Sequence, residues 1–390
     1  MREAVIVAAV RTAVGRCRGS LASVPADELA GLVVKEAVKR AGIDPACIDE
    51  VIFGNIRNND IRGIGRMAAL TAGLPLTVPG ITLERQCASS LNAFAYASIF
   101  IQAGWADVIV AGGVESDSRF PYLMERTNGA YQVVPPNWCE QKTTPLEPYG
   151  NPSMGTTAEN IAKKYGITRL ECDMFALNSH EKAVKAWDAG YFNDQIVPVE
   201  VALGKGKTTL FTRDESVRPD SSIEALSALK PAFQKDGVVT AGNSSPMSDG
   251  AGAIVVMERQ RAKDLGLKIL GKFKAYAAMG VDPAIMGIGP VAATQKLFAQ
   301  TGMTMKDIDL IELNEAFAPQ SIACIRELGI NEEKVNVNGG AIALGHPLAA
   351  SGAILIAKMV YELQRCGKST GLISFCVAGG QGVSVVIETE

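Results

Sequence analysis

Short apolar runs alternate with helix-length segments along the first third of the chain. Positions 26–41 carry apolar residues at helical spacing and stop at Gly42, and a longer apolar stretch from about Ala88 to Ala103 predicts a second helix. Four short runs have the length and composition of buried strands: Ala4–Ala9, Val51–Asn55, Val78–Leu83 and Val108–Ala111. This alternation predicts a layered α/β fold with a largely buried sheet.

A similar order of elements returns near the end of the chain. The predicted elements there are a short strand at Lys334–Val337, a glycine-rich turn at Gly339–Ser351, an apolar helix at Gly352–Leu363 and a strand at Gly371–Cys376. The motif VIVAGG in the first half resembles FCVAGG in the second. We therefore predict two similar layered α/β halves whose glycine-rich turns lie against one another.

The middle of the chain has a different character. It contains a helical region from about Ala158 to Ala189 and two strand-like runs, Val197–Ala202 and Thr208–Thr212, joined by a basic turn. That turn, GKGKTT, resembles the end of a phosphate-binding loop but has Val201 where the motif requires glycine, so a hairpin is the better interpretation. We predict an inserted loop domain at 118–243 between a first half at 1–117 plus 244–265 and a second half at 266–390.

Composition narrows the classes of function. The 390 residues are 47% hydrophobic and carry a net charge of −3, which gives no electrostatic reason to expect nucleic acid or an anionic membrane as partner. No apolar stretch is long enough to cross a bilayer. Eight cysteines without CxxC pairs, and two histidines away from any ligand set, predict neither a disulfide framework nor a metal site. A reducing, cytoplasmic location follows as an expectation.

Cys87 is the first candidate for chemistry. It follows a predicted strand and begins a long helix, where unpaired backbone N–H groups favour a thiolate over a thiol. A lone cysteine is otherwise most often a small buried hydrophobic residue. On position alone, both interpretations stay open.

Three further residues lie at turns suited to chemistry. His346 lies in a glycine-rich turn, where histidine can transfer protons near neutral pH, although a surface turn would also accommodate it. Cys376 ends a strand before VAGGQG, whose backbone N–H groups could bind an oxyanion. Asn314 follows a short strand and could equally be an ordinary helix cap. His180 is expected to be a solvated helix residue.

Four motifs together resemble the signature blocks of the thiolase family. They are RQCASSLNAF at Arg85–Phe94, NEAFA at Asn314–Ala318, GGAIALGHPLAASG at Gly339–Gly352 and CVAGGQG at Cys376–Gly382. SMGTTAEN and TAGNSSPMSDGAGA also resemble that family, so the similarity covers essentially the whole chain.

The resemblance implies a thiolase-like fold and a reaction at a cysteine nucleophile. In the cleavage direction, Cys87 would take the acyl group from a 3-ketoacyl-CoA and acetyl-CoA would be released. In the reverse direction, the enzyme would carry out the Claisen condensation. His346 would accept the Cys87 proton and help to bind the thioester oxygen, with a water held by Asn314. Cys376 would exchange a proton with the acetyl-CoA enolate. The N–H groups of Cys87 and Ala378 would form a second oxyanion site.

The resemblance also implies binding residues and partners. Arg218 and Ser245 would contact coenzyme A, which is a substrate, and no cofactor or metal would be needed. Ser153 and Met154 would line the acyl pocket, and the chain would form a homodimer or homotetramer. Two alternatives remain open: a decarboxylating ketoacyl-synthase type of enzyme, and a non-catalytic acyl-CoA-binding subunit.

Three positions depart from the family pattern. Ala349 and Ala378 stand where glycine is usual, and a positive φ at Ala378 would be strained. Ser153 stands where members specific for short chains often carry histidine. These departures bear on substrate preference and on activity.

Overall fold

The computed structural model describes residues 2–58, 60–125, 138–139, 141–204 and 206–389. The strands of this part of the chain are β1 Ala4–Thr12, β2 Gly15–Arg16, β3 Glu50–Gly54, β4 Gly80–Leu83, β5 Val108–Ser116, β6 Ile196–Val197, β7 Val199–Gly204, β8 Lys207–Phe211, β9 Ser248–Glu258, β10 Gly271–Gly280, β11 Leu310–Leu313, β12 Thr370–Val377 and β13 Gln381–Glu388. The α-helices are α1 Ala26–Ala41, α2 Ile64–Thr71, α3 Ser89–Ala103, α4 Leu146–Tyr149, α5 Met154–Tyr165, α6 Arg169–Asp188, α7 Ile223–Ser227, α8 Arg259–Asp264, α9 Gly289–Thr301, α10 Ala318–Leu328, α11 Ala341–Leu344 and α12 Ser351–Cys366.

The main sheet is built from two halves with the same topology. Its order is β11-β12-β13-β10-β1-β9-β5-β3-β4, with β2 beside β9 and β6 beside β1. From the junction outward, each half has two antiparallel pairs followed by a parallel pair: β1–β9–β5–β3 in one and β10–β13–β12–β11 in the other. The predicted α/β fold of two similar halves is therefore confirmed.

Helices α3 and α12 pack together in the centre of the molecule. Both are apolar, and their residues share one core with inward-facing residues of both half-sheets. The two helices come so close that a Cβ at Gly352 would lie 2.2 Å from the backbone nitrogen of Leu91, and the Ala353 N–H donates to Ser90 Oγ at 2.9 Å. Because α3 follows Cys87 and α12 follows His346, this packing brings the two predicted active-site turns together.

The outer faces of the half-sheets are covered separately. In β1, Val5 and Val7 face the core formed with α1, whereas Ala4 and Ile6 face the central helices. In the second half, α9 and α10 pack on the opposite face of β10–β13. Each sheet is thus buried on both faces, as the long apolar runs predicted.

The predicted strand at Lys334–Val337 is wrong. Residues Glu332–Lys334 form a 3₁₀ turn, and Val335 makes only an isolated parallel bridge to Ile311. The physical reason is Asn336, which has a φ of 44° and whose side chain bonds both the N–H and the carbonyl oxygen of Leu313. A side-chain amide thus replaces the strand that β4 supplies in the first half.

The middle segment packs helices against the second half. The helical region is two helices, because Gly166 ends α5 at a φ of 63° and Thr168 caps α6. The predicted hairpin is confirmed as the antiparallel pair β7–β8, with Lys205 of its turn outside the described residues. The division into domains at 118, 244 and 266 stays a prediction. Within the described ranges, no helix is long and apolar enough to span a membrane.

Candidate active site

Cys87 lies in a tight turn between β4 and α3. Gln86 adopts a φ of 44°, and Ser89 holds the turn by accepting from the Arg85 N–H at 2.9 Å and donating to the Gln86 carbonyl at 2.6 Å. The residue keeps some exposed surface, while its sulfur is enclosed by protein. The strand-to-helix turn therefore presents the sulfur inside the molecule beside the second half.

Burial controls the protonation of Cys87. Desolvation raises the pKa of its thiol to about 11, although the backbone N–H groups of Ala378 and Cys87 itself act in the opposite direction. The expected resting thiolate is therefore wrong, since enclosure of the sulfur outweighs the helix start. Both N–H groups point towards the Cys87 sulfur, and these are the two groups predicted to form the second oxyanion site.

His346 is buried between α11 and α12. Its backbone N–H donates to Ser248 Oγ at 3.1 Å, and its Nδ1 lies 2.6 Å from Ser351 Oγ. Burial, with a smaller contribution from the charge of Arg57, lowers the pKa of the ring to about 4. At neutral pH the ring is therefore uncharged and can accept a proton.

Asn314 completes this side of the site. Its Nδ2 lies 3.4 Å from His346 Nε2, and its Oδ1 is buried without a hydrogen-bond partner in the described part of the chain. The neighbouring Glu315 carboxylate holds the segment by accepting from Ser179 Oγ at 2.7 Å and from the Ile342 N–H at 3.2 Å. Asn314 thus lies against His346, and its side chain caps no helix in the described residues.

Cys376 lies at the end of β12, with 1% of its surface exposed. Burial, and then the neighbouring Cys87 thiol, raise the pKa of Cys376 well above its ordinary value. Its side chain packs against Met286 and Ala316, with Met154 and Phe317 at the edge of the same cluster. A protonated thiol in an apolar setting faces the Cys87 sulfur.

The two alanines that replace family glycines are accommodated without strain. Neither Ala349 nor Ala378 has a positive φ; Gly379 and Gly380 take φ values of 82° and 81°, and Leu348 takes 21°. The Ala349 N–H donates to Glu115, whose buried carboxyl has its pKa raised to about 8 by desolvation. Ala378 therefore does not carry the backbone strain that a positive φ would cause.

A hollow of about 270 Å³ lies beside this cluster. Arg218 and the neighbours of Ser245 line it, while the backbone N–H and Oγ of Ser245 donate to the Ala316 carbonyl at 3.0 and 3.1 Å. Because Ala316 also packs on Cys376, the edge of the hollow at Ser245 lies one residue away from the Cys376 side chain. Of the two residues predicted to bind CoA, Arg218 lines this hollow, and Ser245 lies next to its lining residues Ser244 and Pro246.

The two predicted pocket residues behave differently. Ser153 is exposed and caps α5, with its Oγ accepting from the Thr156 N–H at 3.2 Å. Met154 lies against the Cys376 cluster. The start of α5 therefore lies close to the reacting groups, while the serine hydroxyl is used by the helix.

His180 is not the solvated helix residue that its charged neighbours suggested. It is 5% exposed, and its Nδ1 accepts the Arg218 N–H at 3.2 Å. Sequence reasoning also missed Ser248 and Ser351, which hold the His346 backbone and ring. Serines of this kind carry no signal in one sequence, because their role depends on contacts between distant segments.

Comparisons with known proteins agree with this geometry. The family models "Thiolase, N-terminal domain" and "Thiolase, C-terminal domain" match residues 4–260 and 267–389. The chain is 45% identical to an acetyl-CoA acetyltransferase of Pseudomonas aeruginosa and 46% identical to a 3-ketoacyl-CoA thiolase of Bacillus subtilis, in both cases over 100% of each chain. It superposes on human mitochondrial 3-ketoacyl-CoA thiolase in complex with CoA with a TM-score of 0.93 and 38% identity, covering 100% of this chain and 98% of the other. With the Cys87, His346, Asn314 and Cys376 cluster in place, the chain belongs to the thiolase family.

Proposed function

We infer that this enzyme transfers acyl groups between coenzyme A and an active-site cysteine. In one direction it cleaves a 3-ketoacyl-CoA with CoA to acetyl-CoA and a shortened acyl-CoA; in the other it performs the Claisen condensation. The observation that carries this inference is the packing of α3 against α12, which brings the turns of Cys87 and His346 together. The buried Cys376 thiol lies beside Cys87 in the same region. The names of the similar acetyl-CoA acetyltransferase and 3-ketoacyl-CoA thiolase agree with both directions.

The first half-reaction forms an acyl-cysteine. As the Cys87 sulfur attacks the 3-keto carbon, its proton passes to His346 Nε2. The uncharged ring supports this role, because a proton on Nδ1 beside Ser351 Oγ leaves Nε2 as the nitrogen that accepts. Proton transfer must accompany attack, since the thiol and the imidazole do not form an ion pair at rest.

Breaking the carbon–carbon bond releases the acetyl-CoA enolate. Cys376 protonates its carbon, and its raised pKa keeps a proton available for that step. His346 and a water on the orphaned Oδ1 of Asn314 hold the thioester oxygen, on which the enolate charge develops. The resulting Cys376 thiolate then takes the proton of the incoming CoA thiol and becomes a thiol again.

In the second half-reaction the CoA sulfur attacks the acyl carbon, and the bond from that carbon to Cys87 breaks. The departing Cys87 sulfur takes back the proton that His346 accepted in the first half-reaction. The N–H groups of Cys87 and Ala378 stabilise the oxyanion that forms on the acyl carbon. Arg218 and Ser245 bind CoA, in support of which Arg218 lines the groove and Ser245 lies between two of its lining residues, Ser244 and Pro246. No cofactor takes part in these steps.

The two alternatives are not favoured. A ketoacyl-synthase type of enzyme would not need the buried Cys376 thiol beside Cys87, and a non-catalytic subunit would not need to keep the whole reacting set. A thiolysis assay with a 3-ketoacyl-CoA and free CoA tests the proposed function. Acetyl-CoA formation supports it, and binding without turnover would indicate the non-catalytic subunit.

We further propose a cytoplasmic homodimer or homotetramer in fatty acid metabolism. Exposed apolar side chains on and near the edge strand β4, among them Ile81, Ile99 and Phe100, support association between copies. Light scattering of the purified enzyme would distinguish the two assemblies from a monomer.

Alkylation of Cys87 should show its raised pKa directly. Because the thiolate is the nucleophile and the thiol pKa is about 11, the rate with iodoacetamide should rise about tenfold per pH unit from pH 7 to 9. Acyl-CoA should protect Cys87 by acylating it. Peptide mapping gives the rate, and a plateau already at pH 7 would show a resting thiolate instead.

The acyl chain length accepted should depend on position 153. Serine leaves room at the start of α5, so 3-ketoacyl-CoA substrates longer than acetoacetyl-CoA should be used at least as well as acetoacetyl-CoA. Ser153→His should shift kcat/KM towards the four-carbon substrate, by the roughly 1–3 kcal/mol that one methylene contributes to discrimination. Ser153→Thr keeps the helix cap and is the matched control. Wild-type activity restricted to acetoacetyl-CoA would rule this assignment out.

A further inference from the structure

His180 separates two adjoining hollows. One is the groove of about 270 Å³ proposed to bind CoA, and the other has a volume of about 260 Å³. His180, Arg218 and Ser221 line both of them. The imidazole of α6 and the segment from Arg218 to Ser221 therefore form a shared wall, whose position sets the shape of the CoA groove.

A hydrogen bond joins this segment to the His180 side chain. The Arg218 N–H donates to His180 Nδ1 at 3.2 Å, and the Ser221 N–H closes the turn on the Arg218 carbonyl at 3.3 Å. Burial, with a smaller contribution from Arg218, lowers the pKa of His180 to about 4, so the ring stays neutral and keeps an acceptor at Nδ1. The ring therefore holds the turn without adding charge.

The groove of about 270 Å³ carries the charged and apolar side chains that a nucleotide needs. Arg16 and Arg218 bring positive charge to the groove, which suits the phosphates of CoA, and Leu226 and Leu229 offer an apolar face for a base. Asp220 is the acidic side chain of the same wall. A neutral acceptor suits this place, because a carboxylate would offset the Arg218 charge and a lysine could not accept the N–H.

We propose that His180 is a positioning residue that holds the Arg218–Ser221 turn in the conformation that binds the nucleotide half of CoA. This proposal rests on the proposed role of the groove in CoA binding. His180 acts only through the turn, so it affects substrates that carry the nucleotide. Substrates that end at pantetheine do not depend on it.

The test compares one 3-ketoacyl group carried on CoA or on pantetheine, each with the matching free thiol as acceptor. His180→Leu keeps side-chain volume and removes the acceptor. It should lower kcat/KM for the CoA pair about five- to tenfold, mainly through KM, as the loss of one hydrogen bond predicts. The pantetheine pair should be unchanged. Met174→Ala, on the exposed side of the same helix, is the control.

Rescue separates positioning from folding. Asparagine places an oxygen where Nδ1 lies and glutamine does not, so His180→Asn should restore the CoA pair to within about twofold while His180→Gln should not. These two variants carry the test if His180→Leu does not fold. Equal losses with both carriers, or no loss with either, would overturn the proposal. A wild-type enzyme that turns over neither pair would instead contradict the proposed function.

Discussion

His346→Ala should lower thiolysis by about 10⁴-fold or more, approaching the effect of Cys87→Ala. The substitution removes the acceptor of the Cys87 proton and one donor to the thioester oxygen at once. General base catalysis and one oxyanion donor each contribute about 10²–10³ or more to rate. Because burial raises the pKa of Cys87 to about 11, only a very small fraction of resting thiolate is available to bypass the missing base.

A second variant separates the two functions of this ring. His346→Gln keeps a hydrogen-bond donor near Asn314 but has no group that can take a proton at neutral pH. It should lose acylation almost as severely as His346→Ala. Unchanged CoA binding in both variants would exclude loss of the fold, and a loss of acylation below tenfold would contradict the assignment of His346 as the base.

Cys376→Ser should lower overall thiolysis by about 10²–10⁴-fold, the range of a single general acid, while leaving acylation of Cys87 nearly intact. A serine hydroxyl is a far weaker acid than a thiol, so the variant should fail when the enolate must be protonated. In wild type, Cys376 carries a proton at rest, because burial raises its pKa well above the ordinary value. This proton is therefore available for the enolate step, and formation of the acyl-cysteine does not need it.

Two rates measured on the same variant test this division. Acylation by a simple acyl-CoA is followed by mass spectrometry of Cys87, and enolate formation by exchange of the acetyl-CoA methyl hydrogens with deuterated water. Cys376→Ser should retain the first and lose the second. Cys366→Ser, at an exposed cysteine, is the matched control. Equal loss of acylation in Cys376→Ser and His346→Ala would contradict the assignment of acylation to His346 and of enolate protonation to Cys376.

Much of the fold could be predicted because the apolar pattern of each element follows from its final surroundings. Helix α1 was predicted at its observed bounds, since its apolar positions recur at helical spacing and Gly42 ends it with a φ of 68°. The strand predicted at Lys334–Val337 was wrong for a reason that the pattern of apolar residues does not show. The side chain of Asn336 takes the hydrogen bonds of Leu313 that a backbone strand would have taken.

The candidate site residues could be named from their turns and motifs, but the direction of the Cys87 pKa shift could not. A helix start predicts a lowered pKa for Cys87, and enclosure by the second half reverses that direction. Burial of the Cys87 sulfur arises only when the two halves pack together, so the residues around Cys87 in the sequence do not predict it. The same holds for His180, whose charged neighbours in sequence suggested solvent but which packs beneath the Arg218 turn.

The most direct test of the account is the covalent intermediate itself. The enzyme is mixed with a simple acyl-CoA, quenched in acid within one turnover and digested, and the peptides are analysed by mass spectrometry. We predict one acyl group per chain on Cys87, absent from Cys87→Ala and strongly reduced in His346→Ala. An acyl group on Cys376 or on another cysteine, with Cys87 unmodified, would contradict the assignment of Cys87 as the nucleophile.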